Sequence, residues 1–165
     1  MKQSDLFPAE ERHAILSKCG QYRYALRRRW AKSPSMIFVM LNPSKADAEI
    51  DDPTIRKCRH FAKAFGYNGF IAVNLFAFRA TSPADMKRAA DPVGCENDTW
   101  LRYVLGFDTL RIAAWGKHGT FIDRDRFVQR IGFPMHCLGI NGDGTPRHPL
   151  YLPNDTQPIP YGGRQ

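Results

Sequence analysis

The chain has 165 residues, with 24 Lys plus Arg against 16 Asp plus Glu, a net charge of +8 with His neutral. A hydrophobic fraction of 43% and a charged fraction of 24% exclude wholesale disorder and fit one globular domain. No apolar run reaches the ~18–20 residues of a membrane span, and residues 1–13 lack the apolar stretch of a secretory signal.

The expected location is therefore cytoplasmic. The basic balance favours a polyanionic partner, nucleic acid or nucleotide, over an acidic protein. Four cysteines at 19, 58, 95 and 137 form no C-x-x-C pair, so they read as reduced, mostly buried thiols and not as a zinc module. No metal or cofactor is expected.

Along the chain, residues 1–20 read as a short helical or irregular lead-in stopped at Gly20. Residues 22–30 (YRYALRRRW) begin with aromatic and basic residues in alternation, a strand pattern, and end in Arg27-Arg28-Arg29, the densest positive charge in the sequence. Four short apolar runs bounded by turn signals follow: residues 35–41, 70–75, 110–115 and 135–140. Runs of this kind fit strands buried on both faces of a parallel sheet.

Helical patterns lie between them. Asp52-Pro53 supplies a cap and a first-turn Pro for a helix through Phe65, and Ser82-Pro83 repeats the signal for residues 83–90. Apolar stripes mark two more helices at 94–105 and 123–131. The alternation predicts an α/β domain over 1–152, with a mainly parallel four-stranded sheet, helices on both faces and an extra N-terminal strand or hairpin. Residues 153–165, rich in Pro and Gly, read as a tail.

Ligands of open α/β sheets bind beyond the carboxyl ends of the strands. The four runs deliver Asn42-Pro43-Ser44-Lys45, then Asn74 with Phe76, then Lys117-His118, then Asn141 and Arg147-His148-Pro149-Leu150. Asn42 either caps its turn or holds a water by its carbonyl oxygen. Asn74 either satisfies local backbone or reads a nucleobase edge by two hydrogen bonds. His148 is a loop histidine or a donor to a phosphate or to charge developing on a base. Of the acidic stretch, Asp52 reads as the helix cap. Asp47 and Asp51 stay free for a general base, a metal ligand or a solvated face. Neither a Walker A loop nor G-x-G-x-x-G is present.

The segments MLNPSKADAEIDDPTIRKC, VNLFAFRAT, ADPVGCEND, AAWGKHG and RHPLYL closely resemble a bacterial and phage family, domain of unknown function 1643. More distantly, four pieces in the same order resemble the uracil-DNA glycosylase superfamily, in its mismatch-directed Asn-Pro branch. Met40-Leu41-Asn42-Pro43-Ser44 is similar to its first motif, and Ala72-Val73-Asn74-Leu75 to its base-reading strand end. Ala114-Trp115-Gly116 and His148-Pro149-Leu150 are similar to its third strand end and its last motif.

The resemblance implies a three-layer α/β/α sandwich and a DNA glycosylase-like hydrolase that flips and excises a pyrimidine. Asn42 would position the attacking water and His148 would donate to the departing base; Asp51, a further catalytic candidate from the acidic stretch, has no counterpart in the superfamily's motifs. Leu41, Ser44, Asn74 and Phe76 would contact the base, and the small Ser44 would admit a 5-substituent, as on a modified phage base. Arg27, Arg28, Arg29, Lys45, Lys117, His118 and Arg147 would meet DNA, and Leu150 or Leu152 would wedge into the vacated stack. The expected partner is DNA or a nucleotide containing a modified pyrimidine, bound by a monomer. The alternatives are an enzyme on free modified nucleotides and a non-catalytic nucleic-acid binder.

Overall fold

A computed structural model of the chain describes residues 10–44, 46 and 48–165. It contains seven strands: β1 (Glu11–Leu16), β2 (Arg23–Arg29), β3 (Met36–Met40), β4 (Gly69–Asn74), β5 (Arg111–Ala113), β6 (Met135–Cys137) and β7 (Ile159–Tyr161). Four helices accompany them: α1 (Pro53–Ala64), α2 (Pro83–Arg88), α3 (Asn97–Leu105) and α4 (Arg124–Ile131). The strands form one sheet in the order β1-β2-β4-β3-β5-β6-β7.

The sheet is mixed. Its four central strands, β4-β3-β5-β6, pair in parallel, whereas β1–β2, β2–β4 and β6–β7 pair antiparallel. The four apolar runs of the sequence supply the parallel centre, and the expected N-terminal hairpin is β1–β2. Three parts of the sequence reading change, the first being the sheet itself: it has seven strands with three parallel and three antiparallel pairings, where a mainly parallel four-stranded sheet is expected. Glu11–Leu16 is a strand and not a helical or irregular lead-in, and residues 159–161 of the expected tail close the far edge as β7. β1 is only half buried, so its apolar signal is weak. Its register places Glu11 opposite Arg29, where Glu11 pairs with both Arg27 (3.0 Å) and Arg29 (2.5 Å). β7 earns its place through Tyr161, buried against the Trp115 ring at 5.9 Å between centroids.

Side chains alternate across the strands, so each strand feeds two cores. Met36, Phe38 and Met40 join Ile55, Cys58 and Phe61 of α1 on one face. Ile37 and Val39 join Met86, Leu101 and Val128 of α2, α3 and α4 on the other. Cys58 and Cys137 are buried, whereas Cys19 and Cys95 are exposed, fewer buried thiols than expected.

The parallel register sets the working edge. Met40 lies beside Asn74 on one side, and Val39 lies beside Ala113 on the other. The chain segments that leave β3, β4 and β5 therefore emerge together at the carboxyl end of the sheet. α1 starts at the same edge. Asp52 caps it in an extended conformation, accepting the Ile55 N–H at 2.9 Å, with Pro53 in the first turn.

Candidate functional site

A cavity of about 680 Å³ opens at this carboxyl edge. Asn42 and Ser44 reach it from the turn after β3, Asn74 from the end of β4, and Trp115, Gly116, Lys117 and His118 from the segment after β5. Arg147, His148 and Leu150 arrive from the loop after β6, and Asp52 from the cap of α1. The segments beyond all four parallel strands, with the start of α1, thus converge, as ligand sites of open α/β sheets do.

Asn74 is the most informative side chain. It is 1% exposed, and its amide makes no hydrogen bond among the described residues; Nδ2 is buried outright without a partner. Leaving one buried polar group unmade costs about 1–3 kcal/mol. The surrounding structure nevertheless holds this strand end in place. Asn97 Nδ2 donates to the carbonyls of Asn74 and Leu75, each at 3.0 Å, and Arg124 Nε donates to the Leu75 carbonyl at 3.0 Å. Arg124 is held in turn by Asp98 at 2.6 Å. The backbone is braced while the amide beside it is left empty.

Asn42 is fixed differently. Its Nδ2 donates to the carbonyls of Pro43 (3.1 Å) and Ala80 (2.9 Å), which uses both amide hydrogens. The orientation of the side chain is therefore set, and Oδ1 remains as an acceptor. The local role expected of Asn42, holding its own turn, is the one these two bonds perform.

His148 opens the single 3-10 turn Pro149–Tyr151, with Nδ1 accepting the Leu150 N–H at 3.2 Å. An occupied Nδ1 puts the hydrogen of the neutral ring on Nε2. Burial pushes the His148 pKa below the usual histidine value, against the opposing charge of Asp52. His118 is also pushed down, by burial and by the charges of Lys87 and Lys117, and its Nδ1 accepts from Lys87 Nζ at 3.1 Å.

Several expected site residues stand elsewhere. Asp51 does not line the cavity. Its carboxylate meets Arg28 (2.8 Å), Arg59 (2.8 Å) and Arg12 (3.3 Å), an ion-pair cluster at the base of the hairpin. Arg28 is fully buried in that cluster, and Arg27 and Arg29 are engaged by Glu11. The Arg27-Arg28-Arg29 run serves the fold: Arg27 and Arg29 pair with Glu11 of β1, and Arg28 turns to Asp51. Phe76 is a core residue with its ring 5.6 Å from that of Phe121, not a wall of the cavity. Leu152 reaches the cavity but is packed with the α1 core, so it is no free wedge. Lys45 and Asp47 lie outside the described residues.

Leu41, Ser44, Lys117, His118, Arg147 and Leu150 do line the cavity. The sequence reading missed Trp115 as a site residue, whose buried indole Nε1 has no partner among the described residues, and the buttresses Asn97 and Arg124. It also missed Tyr151, 86% exposed at the cavity with its ring 6.4 Å from His148. Tyr151 sits one residue from Leu150 in a stretch already singled out, so its signal was present. Nothing in the sequence separates Asn97 from an ordinary helix-start residue.

The family model described as protein of unknown function (DUF1643) matches residues 23–150. The chain belongs to this DUF1643 family. Every cavity residue described above except Leu152 and Tyr151 falls within the matched span. Comparison with curated proteins and with solved structures finds no match. Among the described residues, no cluster of three or more His, Cys, Asp or Glu is arranged to hold a metal, and no helix is long and apolar enough to cross a membrane.

Proposed function

We propose that this DUF1643 chain is a DNA glycosylase-like hydrolase that takes a flipped pyrimidine into the cavity and cleaves its N-glycosidic bond. The observation that carries the reading is the empty amide of Asn74. A buried donor without a partner, held at a structural cost beside the oxygen of the same amide, suits a partner that presents both an acceptor and a donor. The imide edge of uracil or a 5-substituted uracil does so, with its O4 accepting from Nδ2 and its N3–H donating to Oδ1.

Two further features support it. Asn42 Oδ1 is oriented to hold a water, and the His148 Nε2–H faces the role of meeting negative charge on a departing base. The parallel strand order β4-β3-β5-β6, with α1 against one face and the other helices against the opposite face, agrees with the three-layer sandwich of the uracil-DNA glycosylase superfamily. Ser44 in place of a bulkier residue leaves room for a 5-substituent.

The test is excision from oligonucleotide duplexes and single strands carrying uracil, thymine or 5-substituted uracils. Release of a free base from at least one, lost in Asn74→Ala, is the expected result. No release from any, with pyrimidine bases failing to bind, overturns the reading. A second reading, action on free modified nucleotides, is favoured by one observation: Arg28 is buried, and Arg27 and Arg29 are paired with Glu11 within the hairpin. The two part on salt. Duplex binding weakens steeply as several counterions are released, whereas a mononucleotide site responds little.

A further inference from the structure

We infer that Asp52, acting through the Ser44 hydroxyl, is the proton acceptor of this cavity, an inference that rests on the glycosidic-hydrolysis reading above. Asp52 is the sole carboxylate among the described residues that line the cavity. Its Oδ2 accepts from Ser44 Oγ at 2.5 Å, a short charge-assisted bond, while its Oδ1 is fixed by the Ile55 N–H at 2.9 Å. Both oxygens are thus immobilised, and the hydroxyl facing one of them stands two residues from Asn42, on the same turn after β3.

The remaining polar groups of the cavity are poor acceptors for a proton. Asn42 can hold a water but is no base. His148 has Nδ1 occupied by the Leu150 N–H, which leaves Nε2 as a donor. His118 is in the same position, with Nδ1 occupied by Lys87. Arg23, Lys117 and Arg147 are cations. A water that attacks C1′ must still lose a proton, and the Ser44–Asp52 pair is the described group able to take it.

The step balances as follows. The water oxygen forms a bond to C1′ as the C1′–N bond breaks, and the bonding pair leaves with the base. Ser44 accepts one water proton and passes its own to Asp52 Oδ2. The His148 Nε2–H hydrogen-bonds to the negative charge on the base. Asp52 then returns its proton to solvent, and the base is protonated from solvent. Asp51, the neighbour that the sequence favoured, takes no part because three guanidiniums hold it in the hairpin cluster.

Asp52→Asn separates chemistry from folding, because Asn caps a helix about as well as Asp. On a duplex carrying the excised base, its kcat should fall by about 10²–10⁴, with KM and the unfolding midpoint close to wild type. Ser44→Ala, which leaves the cap intact, should lower kcat by less. The double variant should be no slower than Asp52→Asn alone, since the two act as one unit. Wild-type kcat in Asp52→Asn, or losses that simply multiply in the double variant, overturns the inference alone. A wild-type protein that binds the pyrimidine but excises none of the panel overturns the hydrolytic reading and the inference together. If Asp52→Asn does not fold, an unchanged kcat in Ser44→Ala still overturns the relay.

Discussion

Asp51 and Asp52 are adjacent in the chain and enter opposite kinds of environment. Around Asp51, at the foot of the hairpin, charges answer charges: Arg12, Arg28 and Arg59 converge on its carboxylate, and Glu10 takes a second bond from Arg59 at 2.6 Å. Burial raises the Asp51 pKa, but the Arg59 and Arg28 guanidiniums outweigh it and hold the group below the usual carboxylate range. Around Asp52 lies the cavity, where polar groups are fixed in place but left unanswered: the Asn74 amide, the Trp115 indole Nε1 and the Asn42 Oδ1. The difference shows how to divide the polar residues of this fold. Those already paired within the chain stabilise it, whereas those positioned at a cost and left empty are available to something else.

The largest expected effect breaks the paired side. Asp51→Ala removes the carboxylate that pairs with the fully buried Arg28 and leaves the guanidiniums of Arg12 and Arg59 facing it. Removing one partner of a buried pair costs about 3–5 kcal/mol because the other charge is left uncompensated. Equilibrium urea unfolding should register that loss, with pyrimidine binding retained by whatever fraction stays folded. A loss under about 1 kcal/mol would place Asp51 with ordinary surface ion pairs instead.

The same substitution logic should reverse sign at the cavity. Asn74→Leu keeps the branching of the side chain and replaces a buried, unpartnered donor by an apolar group, so stability should hold or rise, by up to about 1–3 kcal/mol. Pyrimidine binding, measured by calorimetry, should fall about tenfold to a hundredfold. Destabilisation by Asn74→Leu would show that the amide has a structural partner after all, and the contrast between the two regions would collapse.

Much of this site was legible before any coordinates. Continuous apolar runs ending in polar turns announce parallel strands, and their carboxyl ends were enough to bring Asn42, Asn74, Lys117 and His148 to one edge. What sequence could not supply was the choice between neighbours. Asp52 was readable as a cap from Pro53, but Asp51 looked free because Arg12, Arg28 and Arg59 come from three distant elements. Arg27-Arg28-Arg29 looked like a phosphate track because a strand's alternation does not say what faces each side. The bounds of β1 and the whole of β7 escape the sequence for a related reason. One is half exposed and the other is three residues long beside prolines, so neither carries an apolar signal, and both owe their pairing to an already formed sheet edge.

A smaller effect separates the regions by pH. Burial lowers the pKa of His148, and burial with the neighbouring lysines lowers that of His118. For both, the unfolded chain binds the proton more tightly. Their contribution is therefore complete above the ordinary histidine pKa near 6.5 and declines as pH falls below it. One such group changes stability by no more than about 1.4 kcal/mol per pH unit. Asp51 acts in the same direction but in the carboxylate range, so a fall in stability between pH 7.5 and 5.5 belongs to the cavity side. Urea unfolding at those two values should show that fall in the wild type and a smaller one in His148→Gln. An equal fall in both would show that His148 does not carry the dependence.

The smallest effect is also the cleanest separation of charge by role. Arg27 and Glu11 form an exposed pair, so Arg27→Ala should cost less than about 1 kcal/mol. It should also leave the salt dependence of oligonucleotide binding unchanged, because a guanidinium engaged within the hairpin releases no counterion from DNA. Lys117→Ala and Arg147→Ala remove exposed cations at the cavity, and each should lower the slope of log K against log salt by about 1. If Arg27→Ala lowers the slope as much as Arg147→Ala does, the hairpin arginines face the polyanion too. The net charge of +8 would then act as a field spread over the whole protein, and not as a rim around one cavity.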